Sequence, residues 1–558
     1  MKMNSLKDNE IQASDMDESA KENLLPVTVQ EVSVQESGVV DNDKKKRPDE
    51  SIPYSEALER TKFGRFNYYI IILSGLVLSN VLLETSGVAF IMPVAQCDLG
   101  LTNFRKGLLS AIGYVGMILS SHLWGFLADT KGRRRVIRPT ILASFVVTLF
   151  SSFATNFWLI LILRLLNGFF ISGGSATIYA YLGEFHMDRT RSRAMMGSAF
   201  IFALGAMCMP FLAFIVINQD WSFPLPFLGI IYKPWRLFII VCGITGLFCG
   251  LSLYYLPESP KYLLSAKREE EAKQVLQKIY RINCGKDELK LPHLLPEDDC
   301  AEIKIAMKSS SLLKTFLNTM WNQTTPLFHK KYLRSTLIVC TTQFWIYLIV
   351  NGLYMWFPHI INSMSEFMNT HPGENKLLCQ IVYDKDEFLY HNDGSMECTN
   401  KLEDTTFMYS LLMEILYASS FAFLGLIINR IGKITILFII IVFFTSCGLV
   451  AVWLPYTPVA AIFYVLLFLV GVAINVLGAA TVELYPTQLR AMAMCISLMM
   501  GRVGSVVGTN FVGALLSSYC ELTFYISCFA MISCAFLILF LPKSIKDKTG
   551  KESNSNEC

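Results

Sequence analysis

The chain has 558 residues, 53% of them hydrophobic and only 17% charged, against about 25% charged in ordinary soluble domains. That deficit excludes a disordered chain and argues against a soluble one. A net charge of +3 offers no basic field to attract nucleic acid, and fifteen cysteines in this length are too few for a disulfide scaffold.

Residues 1–66 are polar, with a basic run Lys44-Lys45-Lys46-Arg47. They read as a largely disordered N-terminal arm without the apolar stretch of a cleavable signal. A membrane-crossing helix needs about 20 mainly apolar residues, and twelve such stretches follow. The first six lie near Tyr68–Met92, Gly107–Ala128, Ile137–Thr155, Trp158–Gly183, Ala194–Ile217 and Trp235–Leu256. The second six lie near Leu333–Phe357, Phe407–Ile428, Ile434–Trp453, Val459–Val482, Ala491–Ser517 and Leu522–Leu541. Spans one, two, four and eleven carry several polar residues, which turns them towards a bundle interior.

These stretches predict an all-α polytopic membrane protein: 12 transmembrane helices in two six-helix halves, residues 67–256 and 333–541. Between the halves, residues 257–332 form a linker whose Arg268–Tyr280 pattern predicts an amphipathic helix. Residues 358–406 form a polar, acidic insert, and 542–558 a tail. With the N-terminus taken as cytoplasmic, the short inner loops hold Lys131, Arg133, Arg134, Arg135, Arg138, Arg189, Arg191, Arg193, Arg430, Lys433 and Arg490. The short outer loops hold only Arg105, Lys106 and Lys233. Eleven against three places both termini and the linker in the cytoplasm, and the insert outside or in a lumen.

The two halves repeat a motif. Span four ends Gly183-Glu184-Phe185-His186-Met187-Asp188-Arg189-Thr190-Arg191, and span ten ends Val482-Glu483-Leu484-Tyr485-Pro486-Thr487-Gln488-Leu489-Arg490. The loop Gly125 to Arg135 after span two has a weaker echo at Gly425 to Lys433. Parallel six-helix repeats with a central link are a transporter architecture. Asp129, Arg133, Arg134, Glu184, Arg191, Glu483 and Arg490 are the expected cytoplasmic gate, in which the acids pair with arginines at other helix ends. The alternative is that these arginines only fix topology and meet lipid phosphates.

Several residues inside spans can carry chemistry. Glu84 is a carboxylate in mid-span, which costs about 2.5–3.5 kcal/mol unless it has a partner or a task. Asn80 shares its helical face. Arg502 sits between Gly501 and Gly504 in span eleven. Both Glu84 and Arg502 are expected to line a central cavity; Arg502 either answers Glu84 across it or contacts an anionic substrate, and Glu84 either binds substrate or carries a coupling proton. The alternatives are a structural hydrogen bond for Glu84 and a carbonyl at a helix break for Arg502. Phe202, Phe344, Trp345 and Tyr347 are candidate stacking partners for a sugar ring or an organic cation. Asn351 and Asn475 are candidate amide partners for hydroxyls. Cys379 and Cys398, both in the outer insert, are expected to form a disulfide. No CxxC, GxSxG, GxxxxGK[ST] or HExxH occurs, so neither enzyme activity nor metal or other cofactor is expected.

The loop Gly125 to Arg135 is similar to the signature of the major facilitator superfamily. Arg164-Leu165-Leu166-Asn167-Gly168, Leu256-Pro257-Glu258-Ser259-Pro260-Lys261-Tyr262-Leu263-Leu264 and Glu483-Leu484-Tyr485-Pro486-Thr487 with Arg490 resemble its branch of sugar porters, organic-ion transporters and synaptic vesicle glycoprotein 2 proteins. Glu84 with Pro93, Trp124 to Asp129, Trp221-Ser222-Phe223, Gly352 to Pro358 and Thr481 to Thr487 bring the chain nearest the last group. The resemblance covers roughly Tyr54 to Pro542 and also supports Phe202 and Arg502 as cavity positions. The chain departs from that group in four ways. Val81 and Gly478 stand where the group has Asp. The insert is too short for its luminal repeat fold. The insert also lacks an Asn-x-Ser/Thr sequon; Asn322-Gln323-Thr324 lies in the linker.

The resemblance implies a secondary transporter with the major facilitator fold, working by alternating access on a small polar organic solute, a sugar or an organic cation. It would be a monomer in a lipid bilayer, of the plasma membrane or a vesicle. The rival is a non-transporting scaffold or receptor that kept the fold.

Overall fold

The computed structural model describes residues 51–285, 289–295, 321–322, 324–383, 401–485, 487–516 and 518–541. A few side chains within these ranges, those of Glu483 and Arg490 among them, lie outside the description. The expected spans are all present as helices. The first half contains Arg65–Ser86 continued by Val88–Val94, Asn103–Lys131, Arg133–Ser152, Phe157–Glu184, Asp188–Ile217 and Pro234–Ser252. The second contains Lys330–Tyr354, Asp404–Ile431, Lys433–Trp453, Thr457–Phe468 continued through a 3-10 turn to Ala473–Leu484, Thr487–Leu515 and Cys520–Ile538. Eleven helices of the described residues are long and apolar enough to cross a membrane; Asp404–Ile431 completes the twelve.

Phe150, Trp158, Ile162, Phe211, Phe248, Phe443 and Phe529 are exposed, as side chains facing hydrocarbon should be. Many hydroxyls inside the spans find acceptors on their own helix, as in Ser79 to the Gly75 carbonyl (3.0 Å), Thr177 to Gly173 (2.6 Å) and Thr481 to Leu477 (2.8 Å). This satisfies polar groups where no water is present. Spans two and four touch backbone to backbone where Gly168 meets the Gly113 carbonyl, and spans seven and eleven do so where Gly504 meets the Phe344 carbonyl. A Cβ at either glycine would collide with that carbonyl.

The arm and the linker are joined. Ile52–Pro53 pairs in parallel with Leu294–Leu295, and the helix Tyr54–Arg60 buries Tyr54, Ala57 and Leu58. The amphipathic helix is Glu269–Cys284, with Ala272, Leu276 and Ile279 buried in one stripe. Asn283 closes the seam: its Oδ1 accepts the Phe66 N–H (3.0 Å) and its Nδ2 donates to the Lys62 carbonyl (2.8 Å). From Ile52 onwards the expected free arm is therefore part of the fold.

Two expectations about the insert change. Its first stretch is not polar loop but a helix, Phe357–Thr370, with Phe357 to Ser365 all buried. Pro358 takes the first helical turn, where its missing N–H costs nothing, so the helix restarts after Tyr354 and packs against the Val88–Val94 segment and span eight. The disulfide partner also differs. Cys379 bonds to Cys520, 141 residues away in sequence, with Cα atoms 5.5 Å apart; it does not bond to Cys398, which lies outside the described residues. Cys520 opens span twelve, so the bond ties the insert to a helix end that topology, not sequence spacing, brings near. Cys97 is also disulfide-bonded.

Candidate functional site

The basic loops lie on one face of the bundle, and the face opposite is termed distal. The two halves meet at the distal face. Phe90 stacks on Phe407 of span eight (6.2 Å, 5° between planes), and Phe214 meets the same ring edge-on at 5.4 Å. Asn218, after span five, donates to the Leu402 carbonyl (2.8 Å) and accepts its N–H (3.1 Å). Gly107 of span two lies against Thr509 of span eleven, and Gly513 against Asn103. Lys106, expected in an outer loop, is 2% exposed, with Trp356 beneath its ammonium at 5.9 Å. The distal face is thus closed.

Below this closure both halves contribute to one polar centre. Tyr114 of span two interacts electrostatically with Arg502 and Tyr347 of the second half, and Tyr179 of span four with Tyr347. His122 also interacts electrostatically with Arg502. The Tyr347 ring rests on Gly501, one residue from Arg502, where a Cβ would come within 2.8 Å. Asn351 donates to Ser505 (2.9 Å), and Tyr354 donates to Glu414 of span eight (3.3 Å). Glu414 is 8% exposed and also interacts with Tyr417. Tyrosine faces, one guanidinium, one carboxylate and an amide are the groups that can hold a hydroxylated or cationic solute.

The sequence-derived candidates divide. Arg502, Tyr347 and Asn351 are in this centre. Phe344 and Trp345 contact each other edge-to-face at 5.5 Å and pack on the core beside it. Asn475 is exposed on span ten. Phe202 packs on the core of the first half.

Glu84 and Asn80 share a face as expected, but that face turns into the first half. Glu84 is 2% exposed. Thr148 of span three reaches both its oxygens (2.8 and 2.7 Å), and Asn167 of span four donates to Oε2 (3.1 Å). Its cation is Arg164, 3.9 Å away, not Arg502. Gly243 of span six faces Glu84, and Gly246 faces Asn80, whose amide atoms are buried without a hydrogen-bond partner. The expected pairing of Glu84 with Arg502 across the cavity is therefore not present. Helical phase puts the two residues on one face but does not say which neighbour that face meets.

Among the described residues, the ion pairs of the expected gate lie within the first half. Arg133 Nη2 bridges Asp129 (2.9 Å) and Glu184 (3.0 Å), joining spans two, three and four. Arg134 donates to the Leu253 and Tyr254 carbonyls (3.0 and 2.7 Å). Arg191 donates to the Gly183 carbonyl (3.2 Å). Glu258 accepts the N–H groups of Arg134 (3.0 Å) and Arg135 (3.2 Å), capping span three from the linker. The side chains of Glu483 and Arg490 lie outside the description. Sequence reasoning missed Glu414, Tyr114, Tyr179, Arg164 and Glu258 as site or support residues. Glu414 is an acid amid apolar residues, and that signal could have found it.

The Major Facilitator Superfamily sequence profile matches residues 73–378 and 393–556. Human synaptic vesicle glycoprotein 2A (Homo sapiens) is 28% identical over 341 residues, covering 58% of this chain and 45% of its own. Synaptic vesicle glycoprotein 2B of Mus musculus is 26% identical over 328 residues, covering 56% and 48%. The matched region thus spans about half the length of these relatives. The xylose transporter XylE from E. coli, in a partially occluded inward-open conformation, has the same fold, with TM-score 0.58 and 16% identity over 88% of this chain and 99% of that one. A bacterial homolog of the human lysosomal transporter Spinster, inward-facing, aligns with TM-score 0.54 and 12% identity over 85% and 95%. With a family profile matching most of its length and a twelve-helix bundle to carry it, the chain is a multi-pass membrane protein belonging to the Major Facilitator Superfamily.

Proposed function

We propose that this protein is a secondary transporter that moves a small polar organic solute, a sugar or an organic cation, by alternating access. The observation that carries the reading is the polar centre shared by the halves, with Tyr114 and Tyr179 from one and Tyr347, Arg502 and Glu414 from the other, beneath a closed distal face. A solute held there touches both halves, so its binding responds to their relative position. The basic face is the cytoplasmic one by the count of loop arginines and lysines, which puts both termini in the cytoplasm. The membrane is the plasma membrane or that of a vesicle. Glu84, paired with Arg164 away from the centre, takes the part of a coupling-proton carrier rather than a substrate ligand.

The test is uptake of labelled sugars and organic cations into proteoliposomes, with and without an inward proton gradient. Arg502→Gln should weaken substrate binding about ten- to a hundred-fold, the range for losing one charge-assisted hydrogen bond. Glu84→Gln should abolish gradient-driven accumulation while sparing exchange of substrate for substrate. Val81 and Gly478, which stand where the synaptic vesicle glycoprotein 2 group has carboxylates, favour a rival reading as a non-transporting scaffold. Absence of flux and of binding for every solute tested, with folded protein, would overturn the sugar and organic-cation reading and favour that rival.

A further inference from the structure

A cavity of about 420 Å³ opens on the basic face between the start of span three and the linker helix. Five cationic side chains line it: Arg134, Arg135, Arg138, Arg268 and Lys278. Among the described residues only two acids do so, Glu258 and Glu271, and both are engaged. Glu258 caps span three, and Glu271 is held in a two-pronged pair by Arg268 (2.6 and 2.6 Å). Among the described residues neither Arg135 nor Arg138 forms an ion pair. Arg138 stacks over Tyr254 at 4.6 Å, and Lys278 donates to the Tyr255 carbonyl at 3.1 Å. Tyr254 and Tyr255, 65% and 79% exposed at the end of span six, mark the depth at which aromatic rings meet lipid headgroups. The cavity therefore sits at the membrane surface, is large enough for a sugar-sized ring, and carries an excess of three positive charges.

We propose that this cavity binds a lipid headgroup bearing more than one phosphomonoester, of the phosphorylated inositol kind, presented by the bilayer around the protein. Phosphate oxygens accept from several guanidinium groups at once, and basic recesses beside membrane helices suit such headgroups. A bound headgroup bridges span three to the linker helix. Binding does not depend on the transport reading; only the leaflet depends on the proposed orientation.

The test uses protein in phosphatidylcholine nanodiscs and short-chain phosphatidylinositol bisphosphate as the titrant. Phosphatidylinositol without phosphomonoesters and free inositol trisphosphate are the comparison titrants. The bisphosphate lipid should bind much more tightly than phosphatidylinositol. Arg135→Gln/Arg138→Gln should weaken it about 25-fold, at roughly five-fold per charge. The exposed double variant Lys131→Gln/Arg193→Gln, outside the cavity, should change it less than about two-fold. Unchanged thermal melting shows that the variants are folded, and Lys278→Gln substitutes if the first double variant is not. Equal losses in both double variants, or no loss in the cavity variant, overturn the site. Free inositol trisphosphate binding as tightly as the lipid overturns the lipid source in favour of a soluble anion.

Discussion

Span three begins without a cap of its own. Gly132 precedes it with no side chain to offer, and its first free N–H groups, those of Arg134 and Arg135, point at Glu258 from the linker. Glu258→Ala therefore removes a helix cap from 124 residues away. A lost cap costs about 1 kcal/mol. The carboxylate also stands at the positive end of the helix, and in a partly buried setting that adds about 1 kcal/mol more. The freed N–H groups lie at the membrane surface and can be rehydrated, so no full desolvation penalty is added. The sum of about 2 kcal/mol is roughly a thirty-fold rise in local opening, since each 1.4 kcal/mol is ten-fold. Glu258→Gln keeps an accepting oxygen and loses the charge, so it should cost about half as much. Hydrogen exchange of the amides in residues 133–137, measured in nanodiscs, reads this directly. Unchanged protection in Glu258→Ala would refute the capping argument. Equal effects of Ala and Gln would show that charge alone matters and geometry does not.

The same corner predicts that Gly132→Ala is worse than Glu258→Gln. Gly132 has φ +109°, and a Cβ there would lie 2.6 Å from Glu258 Oε2, so about 1–3 kcal/mol of backbone strain adds to a displaced cap; a thermal melt in detergent checks it. Cys520→Ser, which opens the Cys379–Cys520 bond, should lower stability by about 2–4 kcal/mol, and a reducing agent should lower the melting temperature of the native chain by more than that of the variant, which keeps the disulfide of Cys97. In the linker, burial pushes the Glu269 carboxyl up. The Leu294 N–H (2.9 Å), Lys273 (2.9 Å) and His293 (2.8 Å) outweigh it and hold the group below its ordinary value of 4.5. A carboxyl lowered by folding stabilises the fold fully above that ordinary value and loses the contribution as pH falls through its folded value. Docking of Leu294–Leu295 on Ile52–Pro53 should therefore hold at pH 7 and weaken below about pH 4.5, read as faster proteolysis of the arm; docking independent of pH in that window would contradict it.

The spans were legible because twenty apolar residues in a row have few other uses, and the basic loop after span two because its glycine and arginines recur. What the sequence could not supply is which faces meet. Asn80 and Glu84 follow one another on a helix, yet span one touches spans five, six and four as well as the interface, and periodicity does not rank these neighbours. Arg164 and Asn167 were visible as part of a family motif, while their service to Glu84 needed the fold. Glu414 was read as part of an apolar run. Cys398 is near Cys379 in sequence, but Cys520 is near in space because two helix ends share the distal face. The helix Phe357–Thr370 was hidden by its Asn, Ser and Glu residues, which serve local bonds such as Asn362 Oδ1 accepting the Glu403 N–H at 2.8 Å.

Where the charges lie bears on how such a bundle can move. The buried pair Glu84–Arg164 and the half-buried pair Arg133–Glu184 join helices within the first half and do not cross to the second. Breaking a buried pair such as Glu84–Arg164 leaves an uncompensated charge and costs about 3–5 kcal/mol, so a motion that had to separate it would be slow. Rocking one half against the other as a rigid body leaves both pairs intact. Among the side-chain contacts it must separate at the distal face are the Phe90–Phe407 stack, the Phe214–Phe407 contact and the Asn218–Leu402 bonds, worth about 0.5–1.5 kcal/mol each. Phe407 takes part in two of these three. Phe407→Ala should therefore shift the population towards an open distal face by about ten-fold or more, seen as faster labelling of a cysteine introduced at Tyr114 by a reagent added from that side. Labelling as slow as in the unsubstituted protein would mean that the closure rests on the backbone contacts of spans two and eleven, at Gly107 and Gly513, and not on the aromatic cluster.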